Sequence, residues 1–202
     1  MSGVGVLTAQ VVDPNWLGGN GNWSTNSQWS NSTLPGNSQR AVINSSGVPS
    51  IVTLDVNATI AQLQVGATHS LVIANNRSLT LSGGSGGITN DGAISLNASA
   101  NLTQIILAGG NAFTFSGTGV LSLSNHSSNR IYGSTNTESL TNASGHTIQG
   151  SGSLGLGLLA ISNAGLIQAN QATALVIVPT ATGVANSGTL SAPNSATLKR
   201  QN

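Results

Sequence analysis

Four segments of this chain turn the same corner. ITNDGAISL (88–96), LTNASGHTIQG (140–150), ISNAGLIQA (161–169) and VANSGTLSA (184–192) each run from an apolar or small stretch into Asn, reach Gly within two or three residues, and enter a second β-rich stretch. The corner asparagines are Asn90, Asn142, Asn163 and Asn186; the last two steps are 21 and 23 residues and the first is 52. A fixed corner that returns every ~20–25 residues marks a stacked solenoid, in which each turn of chain buries its apolar side against the next. Asn and Gly tolerate the left-handed backbone a tight corner demands. Stacked Asn side chains also hydrogen-bond from one layer to the next.

Between the corners lie short β-runs. AVIN, IVTLDV, IAQLQV, SLVIA, SLTLSG, TQIILAG, FTFSG, VLSLS and ALVIV are bounded by Gly, Asn and Ser, the residues of turns. Within 52–54, 71–73, 79–81, 113–115 and 121–123 the outer two residues read as inward and the middle one as outward. No helical period survives over a dozen residues, and Glu and Lys, good helix formers, are almost absent. The chain is therefore expected to be all-β. Very short strands, a corner at rung length and an Asn-rich, charge-poor composition favour a solenoid over a sandwich. Roughly 160 residues at about 22 per turn give about seven rungs, a shaft ~35 Å long at β-strand spacing. The stretch SNHSSNRIYGSTNTES (124–139) breaks the pattern and reads as an insertion or long loop on one face.

Only 4% of the 202 residues are charged, against about 25% in an average soluble protein. The apolar residues come in short alternating runs that can bury a core, so disorder is disfavoured. No apolar stretch nears the ~20 residues of a spanning helix. Net charge is +1, and only Lys199 and Arg200 form an adjacent basic pair, so phosphate-driven nucleic-acid binding is not expected. With no Cys there are no disulfides and no thiolate metal sites. The opening MSGVGVLTAQVV lacks a positive n-region. It reads either as a first β-strand or as the tail of a leader.

Residues 1–36 differ from the rest and are assigned to an N-terminal Trp-rich cap or joining segment, leaving 37–202 to the solenoid. All three tryptophans, Trp16, Trp23 and Trp29, fall within WLGGNGNWSTNSQW (16–29). They are placed either as a cover for the exposed end of the core, as a sugar-stacking platform, or as a subunit interface, where Trp is enriched.

WLGGNGNWSTNSQWSNSTLPG, followed by AVINSSG, VTLDVNATIAQLQVG and LVIANNRSLTLSG, resembles the opening of large bacterial surface proteins: autotransporter-passenger-like and PEP-CTERM-type secreted proteins with β-strand repeats. HTIQGSGSLGLGLLAISNAGLIQANQATALVIVP is similar to their repeat units. The resemblance implies a right-handed parallel β-helix, export to the cell surface or beyond, and a role in adhesion or extracellular matrix. The chain departs from the pattern in showing no C-terminal membrane barrel and no sorting motif followed by a transmembrane tail.

Catalytic signals are thin. Asp13, Asp55, Asp91 and Glu138 are the only carboxylates, spaced by 42, 36 and 47 residues. Only the first step approaches a multiple of the rung length, and it puts Asp13 two rungs, ~10 Å, from Asp55, loose for a glycosidase pair. Asp91, between Asn90 and Gly92, reads as a turn residue. His69, His126 and His146 are scattered among Ser, Thr and Asn and are assigned to surface loops, not to a metal site. LSGGSGG (81–87) is a turn, since no helix follows it to hold a phosphate. Sequons occur at Asn22, Asn31, Asn44, Asn57, Asn76, Asn97, Asn101, Asn125 and Asn142, as a chain this rich in Asn, Ser and Thr supplies by chance. Thr does not recur in one register, which disfavours ice binding.

The expectation is an extracellular structural protein, not an enzyme, with no cofactor. It self-associates head to tail into a filament or biofilm or cell-surface matrix, with Asp13 near one end and Lys199 and Arg200 near the other as end-to-end contacts. The alternative is a monomeric adhesin or glycan-binding module that uses the Trp-rich end. Its partners are further copies of itself or an extracellular polysaccharide, with neither nucleic acid nor a membrane span.

Overall fold

The computed structural model describes residues 12–83 and 86–201. The two readings of the first dozen residues fall almost wholly on residues 1–11, outside the described residues. The rest of the chain winds through three parallel sheets, one of eight strands and two of seven. The chain visits them in turn, so each rung contributes one strand to each side of a three-sided stack. This is the expected parallel β-helix. Rung 1 comprises Arg40–Ile43 in the first sheet, Ile51–Leu54 in the second and Ala58–Ile60 in the third. Rung 7 comprises Val184–Asn186, Thr189–Ser191 and Leu198–Arg200. Seven rungs at ~4.8 Å make a shaft of ~34 Å.

Alternation builds the core. Leu71 and Ile73, Leu79 and Leu81, Phe113 and Phe115, and Leu121 and Leu123 all point inward and are buried, while the residue between each pair lies at the surface. Parallel pairing without slippage then stacks like on like: Leu79, Ile105, Ile131, Leu154 and Ile177 form one inward column of the third sheet. A residue slip would turn each column to solvent, so burial fixes the register.

Residues 124–139 are not an insertion. Asn129–Gly133 is the third-sheet strand of rung 4, paired to Thr103–Leu107 on one side and Gly152–Gly155 on the other. Its inward residues are Asn129, Ile131 and Gly133, so only one is apolar and the pattern is faint in sequence. Asn129 does the ordering work instead. Its buried amide donates to the Ser124 and His126 carbonyls at 2.8 and 3.1 Å, and its oxygen accepts from Ala98 N at 3.1 Å.

Candidate functional site: a polar corner column and two unlike ends

The four corner asparagines each close a first-sheet strand at the edge shared with the second sheet. Asn142, Asn163 and Asn186 are in register on rungs 5, 6 and 7. Their side chains form a ladder: Asn142 Nδ2 donates to Asn163 Oδ1 at 2.8 Å, and Asn163 Nδ2 donates to Asn186 Oδ1 at 2.7 Å. The same amides reach the carbonyls of Leu166 and Thr189, each 3.2 Å away. Asn142 and Asn163 are fully buried, so every one of these bonds is needed to satisfy an amide inside the core.

Asn90, on rung 3, lies two residues further along its strand, over Val65 where Ile88 holds the place in register, and so stands outside the ladder. Phe115 stands in register with Asn142 on rung 4 and interrupts it. His146 closes the gap. Its Nδ1 lies 2.8 Å from Asn142 Oδ1, and its Nε2 lies 3.3 Å from Asn90 Nδ2, two rungs down. The Asn142 amide is committed as a donor, and Asn90 Oδ1 accepts the Gly92 N–H. The network therefore assigns a neutral ring that donates from Nδ1 and accepts at Nε2. Burial pushes the His146 pKa down to about 4, as expected where the charged form loses its water. The ring also meets Phe115 edge to face, with centroids 6.2 Å apart.

This overturns the placement of His69 and His146 in surface loops: both are buried, and only His126 keeps partial exposure. They occupy one column, read upward as His69, Gly92, Gly119, His146, Gly165 and Gly188, each just before a second-sheet strand. The glycines also depart from expectation. Neither Gly92, Gly165 and Gly188 nor the corner asparagines have positive φ. Glycine is required there because a Cβ would collide with backbone carbonyls of the rung below: Gly66 and His69 for Gly92, His146 and Ala143 for Gly165. Of the corner residues, Gly145 does take the left-handed conformation, at φ +89°.

The N-terminal end is covered. Asn15 pairs beneath Val42, and Gly21–Asn22 pairs beneath Val52 and Thr53, making a partial rung under the first and second sheets. Trp16, Trp23 and Trp29 fill the core above it, at most 1% exposed. Trp16 and Trp23 each meet Trp29 edge on, at 5.1 and 4.8 Å. Trp16 Nε1 donates to the Gly19 carbonyl and Trp29 Nε1 to that of Trp23, both at 2.9 Å. No indole face is open to a sugar.

Among the described residues, nothing covers rung 7 in this way. Of the three strands of rung 7, none has a described strand above it. Val184, Leu190 and Leu198 continue inward columns but are only half-buried, and Asn186 is exposed. Asn186 Nδ2 gives one hydrogen to the Gly188 carbonyl. Arg200 is in register with Ile177, so it takes the next place in an apolar column, and it too is exposed.

The carboxylates are all occupied with backbone. Asp13 accepts from Arg40 N at 2.8 Å and pairs with Arg40 Nε at 3.2 Å. Asp55 accepts from Ser24 N and Oγ; partial burial works to raise its pKa, but these bonds outweigh it and hold it low. Asp91 takes Thr118 N. Glu138, 1% exposed, is opposed by burial too, yet bonds from Gly110 N, Thr135 and Ser134 keep its pKa below the usual range. Asp13 and Asp55 do not converge on one site, since each is bound to a different turn of the N-terminal end. Among the described residues no three His, Asp or Glu cluster to hold a metal. Two shallow hollows on the first sheet, near Thr89 and Thr114 and near Thr141 and Ser162, have no titratable lining residue. Eight of the nine sequon asparagines are exposed, whereas Asn142 is sealed in the core and closed to a glycan. Among the described residues no helix is long and apolar enough to cross a membrane.

The chain matches no protein-family model, no curated protein and no solved structure.

Proposed function

We propose that the chain is an extracellular structural protein, a β-solenoid subunit that self-associates head to tail into a filament or cell-surface matrix. The observation that carries this reading is the inequality of the two ends. One is sealed by tryptophan, and at the other, among the described residues, three strands lie unpaired over a half-buried apolar layer. A free sheet edge templates pairing with another chain. Unlike ends that meet without closing a ring give an open filament. The low charge along the shaft removes the long-range repulsion that keeps such rods apart. The extracellular setting rests on the resemblance to secreted surface proteins. A non-catalytic role is supported by the engagement of all four carboxylates in turns. The alternative, a glycan-binding module using the Trp-rich end, loses support because the indoles lie inside.

Sedimentation velocity over a wide concentration range tests the reading. Mean mass should climb with concentration, without a plateau at the dimer. A single monomer boundary at every concentration and salt would defeat it.

A further inference from the structure

The ends carry charges, and the winding brings them to one edge of the stack. Leu198–Arg200 ends where the chain leaves the third sheet for the first. The partial rung at the other end has Asp13 at that same edge: it immediately precedes the residues that pair beneath the first sheet, and it accepts from the N–H of Arg40, the residue that opens the first sheet. Beneath that partial rung, residues 28–30 already pair with 15–17, so a copy translated along the axis by nine strand spacings, ~43 Å, sets its Asp13 at the same edge two spacings, ~10 Å, above the Arg200 of the copy below, a gap that the long guanidinium side chain spans.

Resting on the head-to-tail reading, we propose that Arg200 to Asp13 is the specificity contact of the joint between two copies. Arg200 occupies the place of a core residue, above Ile177. An occupant laid over it removes its water, and an unpaired guanidinium is costly to bury. Only an end that brings a carboxylate to that edge is admitted. Asp13 qualifies: it is 33% exposed and bonded to one guanidinium edge-on at 3.2 Å, and a carboxylate has lone pairs for a second. Tail-to-tail docking would set Lys199 and Arg200 against their own copies, a repulsion that selects the head-to-tail arrangement. The asparagine ladder does not provide this selectivity. The Asn186 column runs down through Phe115, Ile88 and Leu63 to Ala41, and the register of Asn15 with Val42 puts Pro14 beneath it, so no Asn awaits the Asn186 amide.

A charge exchange tests the contact. R200E sets acid against Asp13, and D13K sets a base against Arg200, so each variant alone should associate about thirtyfold or more weakly than wild type. An equimolar mixture should recover wild-type mass, because every joint between unlike copies again has one charge of each sign. D13N, which removes charge without reversing it, should weaken assembly, and mixing it with R200E should restore pairs but not longer chains, because only the joint from the D13N copy's Arg200 to the R200E copy's Asp13 regains both charges; melting curves verify that each variant is folded. Wild-type assembly of R200E, or a mixture no better than its components, would overturn the contact and leave the self-association reading standing. A wild-type protein that never associates would remove both.

Discussion

His146 has both ring nitrogens committed, one as donor and one as acceptor. A second proton would set Nε2–H against the Asn90 amide, and turning that amide would strip the Gly92 N–H of its acceptor. Its pKa is about 4 when folded, against 6.5 for an unperturbed ring. Between those values the unfolded chain binds the proton that the folded chain refuses, so stability falls as pH falls. The contribution is complete above pH 6.5 and gone below 4, on the order of 3 kcal/mol in all. Thermal melts from pH 7 to pH 4 should show this loss, and His146→Gln, with nothing to titrate there, should flatten it. A slope unchanged by the substitution would mean that other groups dominate. None of this was legible from the residue alone. A histidine among Ser, Asn and Gly looks like a loop residue, and only the column shows that two glycines, Gly92 and Gly119, lie beneath it.

At the scale of the element, strands were legible where two inward residues are both apolar, as in Val52 and Leu54 or Leu121 and Leu123. Asn129–Gly133 was not, because Asn and Gly fill inward places that an alternation pattern assigns to Leu or Ile. The corner motif was legible as a recurrence, but at Gly92, Gly165 and Gly188 its glycine serves close approach between rungs, and only Gly145 takes a left-handed turn. Two substitutions separate those reasons. In Gly119→Ala the new methyl meets the Gly92 and Asn90 carbonyls, and stability should drop by more than about 3 kcal/mol. At Gly47, φ is +83° but the space is open, and Gly47→Ala should cost about 1 kcal/mol. Urea melts of the two variants decide it. Equal costs would assign both glycines to backbone conformation alone.

For the whole molecule, sequence periodicity carried the architecture and the rung number, because a solenoid repeats its own local rule. It said little about ends, since an end is defined by what stops stacking. Trp burial, the Arg200 column position and the shared edge of Arg200 and Asp13 emerge only once the winding is known. Self-association through those ends is open to direct view by cryo-electron microscopy of the concentrated protein. It predicts filaments of rods in one polarity, with an axial repeat near a whole number of ~4.8 Å rungs and strand spacing unbroken across the joints. Isolated rods ~34 Å long, or pairs joined tail to tail, would contradict it.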